Sequence, residues 1–322
     1  MDWYKAFKDQ NKQDWLNKIQ RDNPNTNPTE AHHSVYPNIN GLSYATIEDL
    51  PSNRIETAQG NIYWKTGIII SENDHYKLKS NLEIALMNGA ELICIKDFIP
   101  TSEVIWSELI QNIQTDIVEL HLEIKSPEYF NKILNFDLEN IKLQCLFDID
   151  QIKNSELLST YQSVVLLTSD IHDVKVKLNQ LKNKKSKSAI TIIEVLFHDD
   201  FLTNLSCFRS IRQFLSTHQI DCNLRIGLDP KVITKDSNYN MIRFGTIGLA
   251  AAISEPDAIL FPPYDVLCAE KNEASIRNVL HLQQIYKMES HLDWVNDPLS
   301  GSYYLENLSE KINNYLNSVD EN

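Results

Sequence analysis

The stretch NDPLSGSYY, residues 296–304, places a proline and a glycine between an apolar pair and two aromatic residues. Pro298 fixes its own φ, and Gly301 can adopt the positive φ that other residues avoid. We therefore expect residues 294–295 to end a strand and Ser302 to cap a helix. The apolar residues of that helix recur at helical spacing: Leu305, Leu308, Ile312 and Leu316. Taken alone, the stretch also fits an ordinary strand–turn–helix unit.

Two further motifs precede this turn. The sequence YNMIR, residues 239–243, opens a helix pattern that continues into alanine-rich residues 249–252, and a strand pattern ends in FPPYD, residues 261–265. In this order and spacing the three motifs resemble the methylmalonyl-CoA mutase family. That family has an alanine-rich Tyr/Asn-x-x-Arg helix, a strand that ends in proline or serine and aromatic-Asp, and an Asp-Pro-x-x-Gly-Ser-Tyr turn. The resemblance is specific over residues 239–304 and loose elsewhere. Its matching positions are Asn240, Arg243, Asp265, Gln283, Asp297, Pro298, Gly301, Ser302 and Tyr303.

Short apolar runs alternate with amphipathic helix patterns along most of the chain, which is typical of βα units around a parallel sheet. The predicted strands are Ala90–Lys96, Ile117–Glu123, Leu143–Ile149, Val164–Thr168, Ile190–Phe197, Cys222–Leu228, Ala258–Phe261 and Leu292–Val295. The predicted helices between them include Tyr76–Asn88, Glu103–Ile113, Pro127–Leu134, Val174–Leu181 and Phe201–Thr217. Eight such units fit a (β/α)8 barrel, although an open doubly wound sheet has the same alternation. The family resemblance implies the closed TIM barrel.

The first part of the chain has a different character. Residues 1–60 are predicted to form an N-terminal arm, with aromatic anchors on short helices and an extended segment over Val35–Thr46, and residues 61–322 are predicted to form the barrel. The segments WLNKIQRD, residues 15–22, and LSYATIEDL, residues 42–50, resemble the two recurring pieces of the arm that wraps the partner subunit in two-chain mutases. The alternative is that the arm packs on its own barrel.

Composition narrows the function classes. The formal net charge of −14 argues against a nucleic-acid partner, because phosphate binding requires a concentrated basic surface. Five cysteines lie without CxxC spacing, so we expect no disulfide framework and no cysteine metal site. Apolar runs fall far short of a membrane span, and the first residues lack the pattern of an export signal. We therefore expect a cytoplasmic protein that does not bind membranes.

The resemblance implies that cobalamin chemistry belongs to a partner. Active family members hold adenosylcobalamin between the barrel and a C-terminal domain whose Asp-x-His-x-x-Gly loop ligates cobalt. Residues 170–172 have the Asp-x-His spacing but lack the glycine. His172 also follows a predicted strand, where active members carry a catalytic histidine, but the alignment requires a two-residue shift. His172 is thus the one candidate for a surviving catalytic role, and we expect this chain to bind no cofactor or metal.

Several departures from the family pattern support that expectation. Ile247 stands where active chains have a glutamate that faces the adenosyl group, Ser254-Glu255 replaces a glycine pair, and Leu280-His281 replaces Arg-Asn. An apolar residue cannot hydrogen-bond a ribose, so these changes predict loss of cofactor binding.

The strand compositions predict a barrel interior that is filled. A mutase must thread the pantetheine arm of its substrate along the barrel axis, which requires small side chains there, whereas these strands carry bulky residues on both faces. Glu119, His121 and Glu123 are exceptions that share one face of a strand. They could line a small polar site or be neutralised by nearby lysine and arginine side chains.

The resulting prediction is a small (β) subunit of an adenosylcobalamin-dependent methylmalonyl-CoA mutase, a heterodimer in which this chain stabilises a large catalytic subunit. The main alternative is an independent TIM-barrel enzyme. It would use loop residues at the carboxyl ends of strands: Asp170, His172, His198, Asp199, Asp229 and Asp265. A third interpretation is a scaffold that binds an unrelated protein. No GxGxxG, P-loop, GxSxG or HExxH motif supports other chemistry.

Overall fold

The barrel strands follow one another in space in the same order as in the sequence. In the computed structural model, eight parallel strands form a closed barrel in which the last strand pairs with both the first and the seventh. The structure describes residues 10–25, 27, 33–51, 62–100, 102–111, 113–114, 116–125, 141–145, 161–183, 191–268 and 272–318. The barrel strands are β3 (Lys65–Ser71), β4 (Leu92–Lys96), β5 (Glu119–Ile124), β6 (Ile141–Cys145), β7 (Tyr161–Leu167), β8 (Thr191–Phe197), β9 (Cys222–Leu228) and β10 (Ala258–Phe261). The predicted (β/α)8 TIM barrel is thereby confirmed.

Helices alternate with these strands and cover the outside of the barrel. They are α2 (His75–Met87), α3 (Glu103–Ile110), α4 (Ile171–Asn183), α5 (Phe201–Thr217), α6 (Ser237–Ile253), α7 (Glu273–Met288) and α8 (Tyr303–Asn317). Short acidic or amide side chains begin four of them by accepting hydrogen bonds from first-turn N–H groups: Asp74, Asp200, Asp236 and Asn272. Many polar residues that follow the strands therefore serve as helix caps.

The predicted strand Leu292–Val295 is wrong. These residues form a turn, in which the side chains of Trp294 and Val295 are 71% and 59% exposed. The barrel strand that the prediction missed is β3, the first in chain order. Its residues Ile68–Ile70 are continuously apolar because both faces of a strand in a parallel barrel are buried. Phe201–Thr217, Cys222–Leu228 and Ala258–Phe261 match as predicted, and other boundaries shift by a few residues. The predicted helix Pro127–Leu134 and the end of the predicted strand Leu143–Ile149 lie outside the described residues.

The described part of the arm packs on the barrel of the same chain. It contains α1 (Lys12–Asp22) and an antiparallel hairpin of β1 (His33–Tyr36) and β2 (Ile39–Gly41). Tyr36 and Ile39 are buried in the core cluster formed with α5 and α8. The backbone carbonyl of Asn40 accepts a hydrogen bond from Lys311 on α8 at 3.0 Å. This contact pattern matches the alternative for the arm, and wrapping of a partner stays a prediction.

Most apolar burial lies between the strands and the outer helices, in two clusters. A smaller apolar cluster lies on one side of the barrel interior, around β3, β4 and β10, and consists of Ile69, Leu92, Cys94, Ala258 and Leu260. Ile192 and Leu196 share the inward face of β8 with Glu194, so apolar and charged side chains both contribute to the rest of the interior. Within the described residues, the helices are all too short or too polar to cross a bilayer.

Candidate functional site

Buried charged and polar side chains occupy the barrel axis. They project inward from β4, β5, β6, β8 and β9, and we call them the axial network: Lys96, Glu119, His121, Glu123, Gln144, Glu194 and Arg225. The strand register places these inward positions side by side, with Glu194 opposite Arg225 and Glu123 opposite Gln144.

The centre of the axial network is an ion pair between Arg225 and Glu194, each 2% exposed. Nε of Arg225 donates to Oε2 of Glu194 at 2.6 Å, and Nη2 donates to Oε1 of Gln144 at 2.9 Å. Gly227 makes room for the carboxylate, since a Cβ there would lie 2.5 Å from Oε1 of Glu194. The charges of the pair are thus compensated inside the barrel, as buried charges require.

At the amino-terminal end of the strands, Glu119 is surrounded by cationic groups. Its Oε1 lies 2.6 Å from Nζ of Lys65 and 2.8 Å from Nζ of Lys142, and its Oε2 lies 3.3 Å from Nε2 of His121. The His121 ring and the two ammonium groups hold the pKa of Glu119 well below its usual range. Burial lowers the pKa of His121 to about 4, so the ring is neutral at neutral pH. The amide of Gln144 contacts its Nδ1.

At the carboxyl-terminal end, Lys96 and Glu123 form a second ion pair, with Nζ and Oε2 2.9 Å apart. Burial by itself lowers the pKa of Lys96, but the carboxylates of Glu194 and Glu123 outweigh that effect and raise it. Lys125 lies 3.7 Å from Glu123 and also pairs with Asp97. The acidic face of β5 is therefore neutralised by lysines, as one of the two sequence interpretations expected.

Charged side chains occupy the part of the barrel interior where the sequence analysis expected bulky apolar residues. Sequence reasoning missed Arg225, Glu194 and Lys96 as a group. The available signal was one charged residue in each of three mostly apolar strands. A charged residue is rare in a buried parallel strand unless a side chain of opposite charge pairs with it. Each carboxylate of the axial network therefore has a cationic partner among the described residues.

The turn that opened the sequence analysis sits on a second set of buried charges. We call it the turn network: Arg209, Arg212, Glu255, Asp297 and Glu306. Nη2 of Arg209 donates to Oδ2 of Asp297 at 3.0 Å and to Oε1 of Glu306 at 3.3 Å. Gly301, at φ +84°, donates its N–H to Oε1 of Glu306 at 3.2 Å. The turn network thus fixes the start of α8 against α5.

Glu255 explains how the loss of the family's glycine pair is tolerated. It adopts φ +57°, a conformation that glycine adopts readily and other residues adopt at a cost. Its carboxylate accepts the N–H of Asp297 and lies 3.6 Å from Nη1 of Arg212. Nη2 of Arg212 also donates to the carbonyl of Ser254 at 2.8 Å. These contacts offset the strain of the left-handed backbone.

Other positions of the family motifs hold backbone within this chain. The buried Gln283 accepts from the N–H of Gly67 at 3.1 Å and donates to its carbonyl at 2.9 Å, which joins α7 to β3. The amide of Asn240 donates to the carbonyl of Tyr264 at 2.8 Å. Arg243 donates to the carbonyl of Val232 at 2.6 Å. Ser302 is the N-cap residue of α8, as predicted, although its side chain accepts no capping hydrogen bond from the described residues. Pro298 and Tyr303 lie in the turn and at the first position of α8.

Among the loop residues of the alternative hypothesis, His198 lies near enough to Asp199 and Asp229 for their negative charges to favour its protonated form. Within the described residues, no two of the six candidate side chains share a hydrogen bond or ion pair. His172 is exposed in the first turn of α4, and its backbone N–H donates to the side chain of Asp170. Asp229 caps a short 3₁₀ turn and accepts from Ser169 at 3.3 Å. Asp199 lies 3.6 Å from Arg243.

His198 and Asp265 are the other two candidates. Burial lowers the pKa of His198, whose Nδ1 accepts the N–H of Asp200 at 3.2 Å. Asp265 lines a cavity at the carboxyl end of β3 and β10. It is thus the one candidate of the six that borders any of the cavities described here.

Two positions at which the sequence departs from the family pattern carry buried apolar side chains. Ile247 is buried in the core cluster beside Phe244 and Ala251, and Leu280 is completely buried in the other core cluster. Neither side chain can reach a bound nucleoside or hydrogen-bond it. In the part of the chain that the structure describes, no three His, Cys, Asp or Glu side chains are placed to hold a metal ion.

Fold and interior together define a (β/α)8-barrel protein with ion-paired side chains on its axis. Residues 229–321 match the family described as Methylmalonyl-CoA mutase, which supports the resemblance over this region. A "Methylmalonyl-CoA mutase small subunit" from Porphyromonas gingivalis is 38% identical over 77 residues. That match spans 24% of this chain and 12% of the relative.

Solved structures are similar only at the level of the barrel. Dihydropteroate synthase from Xanthomonas albilineans in complex with 7,8-dihydropteroate is 11% identical with a TM-score of 0.46, over 71% of this chain and 95% of that one. Dipeptide epimerase from Methylococcus capsulatus complexed with Mg ion is 11% identical with a TM-score of 0.42, over 66% of this chain and 60% of that one. Similarity at this level carries no argument about function.

Proposed function

We propose that this chain is a non-catalytic small subunit of an adenosylcobalamin-dependent methylmalonyl-CoA mutase. The complex would interconvert succinyl-CoA and methylmalonyl-CoA by a radical rearrangement. A large partner subunit would hold the cobalamin and the substrate, and this chain would stabilise it in a heterodimer.

The axial network is the observation that carries this proposal. A barrel that binds an acyl-CoA along its axis needs a channel lined by small side chains. Here Arg225, Glu194 and Gln144 meet across the axis, and Lys96 pairs with Glu123 above them. Opening a channel would separate buried ion pairs, which costs several kcal/mol for each uncompensated charge. The network therefore favours a supporting role.

The family-matched region supports a partner interface. Its motif side chains are used to hold the backbone of this chain, yet its surface carries several large apolar side chains that are at least half exposed: Tyr239, Ile242, Leu267, Trp294 and Val295. Exposed apolar groups of this kind are typical of protein interfaces. A stabilising subunit requires such a surface.

The proposal is tested by co-expressing this chain with a cobalamin-domain mutase large subunit from the same cell. We expect a stable one-to-one complex on size exclusion and mutase activity that requires the large chain. The double variant Arg225→Met/Glu194→Leu, which replaces the central ion pair with apolar atoms, should support the same activity in the mixture. Absence of a complex, or isomerisation of acyl-CoA by this chain alone, would refute the proposal.

An independent enzyme is the alternative function, and one observation favours it. Asp265, a loop residue at the carboxyl face of the barrel, lines a cavity there. Turnover of a small substrate by the purified chain, abolished in Asp265→Asn, would support this alternative. Retained turnover in that variant would remove its one structural basis.

A further inference from the structure

Large apolar side chains are exposed at the amino-terminal end of the barrel, where α2 and α7 end and β3 and β5 begin. We call them the amino-end patch: Tyr63, Met87, Ile117, Met288, Trp294 and Val295. Each of these residues is between 59% and 86% exposed. At about 200 Å² for a large side chain, the patch leaves roughly 800 Å² of surface in contact with water. The largest apolar patch of a monomeric protein is usually smaller than this, about 300–600 Å².

The ends of α2 and α7 lie side by side in this patch. The side-chain amide of Gln284 on α7 donates to the carbonyl of Asn88 at 2.8 Å. Asn88 directly follows Met87, and Met288 lies one helical turn after Gln284. The turn over residues 289–295, which carries the other two exposed apolar residues of this region, continues directly from the end of α7.

The starts of the neighbouring strands complete the patch. Nζ of Lys287 on α7 lies 2.8 Å from Oε2 of Glu91, just before β4. The carbonyl of Glu91 accepts the N–H of Glu119 at 3.0 Å, two residues after Ile117. Tyr63 precedes β3, which pairs with β4. The amino-end patch is therefore one surface that spans two helix ends and the starts of adjacent strands.

The uncompensated charges around the amino-end patch are acidic. Three carboxylates that directly adjoin patch residues in the sequence form no ion pair with a described residue: Asp116, Glu289 and Asp293. The nearby lysines are already paired, Lys287 with Glu91 and both Lys65 and Lys142 with Glu119. A partner that approaches this end of the barrel therefore meets an apolar centre with an acidic border.

These charges decide which partner fits. A second copy of the chain would place the same three carboxylates against its own, because both sides of a twofold interface are the same surface. Nucleic acids and anionic membranes would be repelled by the same groups. A protein surface with an apolar centre and a border of lysine and arginine side chains complements the patch in both respects.

We propose that the large subunit docks on the amino-end patch through an apolar surface bordered by lysine and arginine side chains. A standard stable interface buries about 800 Å² on each partner, which the patch can supply. The exposed apolar residues near the carboxyl-terminal end of the barrel, such as Ile242, then remain in contact with water.

This inference rests on the proposed function, because it names the face of the chain that performs the stabilising role. It uses no residue of the axial network. The docking face can therefore be wrong while the subunit role is right, and the experiments separate the two.

The test is surface plasmon resonance between the purified full chain and a cobalamin-domain large subunit from the same cell. Trp294→Lys removes an aromatic anchor and places a positive charge against the basic border of the partner. We expect the affinity to fall at least about thirtyfold, as for the loss of a hot-spot tryptophan. Ile242→Lys is the matched control, because Ile242 is 67% exposed, Trp294 is 71% exposed, and both lie in the family-matched region. This control should keep the affinity of the unmodified chain.

Charge reversal at the border tests the electrostatic part of the proposal. Glu289→Lys should slow association severalfold, because it removes an attractive charge from the docking face. Glu289 is exposed at the end of α7, where a lysine suits the helix dipole, so this variant should fold. Glu273→Lys, at the other end of α7, is the matched control and should keep the association rate. Added salt should slow association of the unmodified chain.

Unchanged affinity in folded Trp294→Lys would overturn this proposal and leave the proposed function intact. A loss of affinity in Ile242→Lys alone would also overturn it and would assign docking to the carboxyl-terminal end. A dimer of the purified chain in light scattering that Trp294→Lys separates would assign the patch to a second copy. Absence of any complex with the unmodified chain would refute the proposed function and this docking with it. If Trp294→Lys fails to fold, the association rates of Glu289→Lys and Glu273→Lys decide the question.

Discussion

The axial network and the turn network solve the same physical problem in two different places. Both have a fully buried arginine at their centre that pairs with carboxylates, and both join elements far apart in the sequence. The turn network lies under the family motif and keeps that motif in shape. The axial network lies on the barrel axis, where an active mutase would hold its acyl-CoA. Our proposal requires this path to be closed in the present chain.

The difference separates the region that matches the family from the strands that precede it. The turn, Asn240 and Gln283 all hold the backbone of this chain, and they fall within the matched residues 229–321. The axial residues come from strands that precede the match, up to Arg225. We infer that the C-terminal region preserves the shape of the barrel while the interior has changed.

Arg225→Met should be the most destabilising change in either network. It leaves Glu194 as an uncompensated charge in the barrel interior, and we expect a loss of about 3–5 kcal/mol in the free energy of unfolding. Urea unfolding followed by circular dichroism measures this loss. The double variant Arg225→Met/Glu194→Leu removes both charges and should recover most of the stability. A double variant as unstable as the single one would show that the ion pair itself stabilises the barrel.

Arg209→Met should cost less, about 2–3 kcal/mol, although it also removes a buried guanidinium. The expected loss is smaller because Asp297 is partly exposed to solvent and Glu306 still accepts a hydrogen bond from the N–H of Gly301. The same urea experiment gives the ranking of the two arginines. A larger loss for Arg209→Met than for Arg225→Met would reverse the order of importance that we assign to the networks.

Acidification should weaken the axial network first. His121 has a folded-state pKa of about 4, below its unfolded value, because it is buried beside Lys142 and Arg225 and only Glu119 favours its charged form. The unfolded chain therefore binds a proton that the folded chain does not, and stability falls as pH drops through the range between these two values. We expect His121 to contribute a loss of about 2 kcal/mol between about pH 7 and about pH 5.

His121→Gln tests this pH dependence. The variant should be less stable at neutral pH but should lose less stability on acidification over the same range. His281→Gln, which changes an exposed histidine on α7, is the matched control and should keep the wild-type slope. Identical slopes in all three proteins would show that His121 does not govern the acid response.

The smallest expected effect separates strain from pairing at Glu255. Glu255→Ala loses the carboxylate contacts and keeps the left-handed backbone strain, whereas Glu255→Gly loses the contacts and relieves the strain. The glycine variant should therefore be more stable than the alanine variant by about 1 kcal/mol. Equal stability of the two variants would mean that the backbone at this position carries no strain.

The fold could be predicted from the sequence to a large extent, because its signals are local. The β-branched runs and the amphipathic helices have clear periods, and Ala258–Phe261 and Phe201–Thr217 were predicted to the residue. The failures have physical causes. Residues 292–295 are apolar but belong to an exposed turn, and β3 has no alternation because both of its faces are buried.

The candidate sites were harder to predict because they depend on which strands become neighbours. Glu194 and Arg225 are separated by 31 residues in the sequence and meet only when β8 and β9 pair. Asp265 likewise lines its cavity only because β10 pairs with β3, the first strand of the barrel. A single sequence shows these residues as isolated charges.

The most direct test of the filled barrel axis is calorimetric titration of the purified chain with succinyl-CoA. With the axial network intact, we predict no saturable binding up to about 1 mM, the upper end of ordinary KM values. Saturable binding of succinyl-CoA that free pantetheine displaces would contradict this account, because it would require a channel where Arg225, Glu194 and Gln144 now meet.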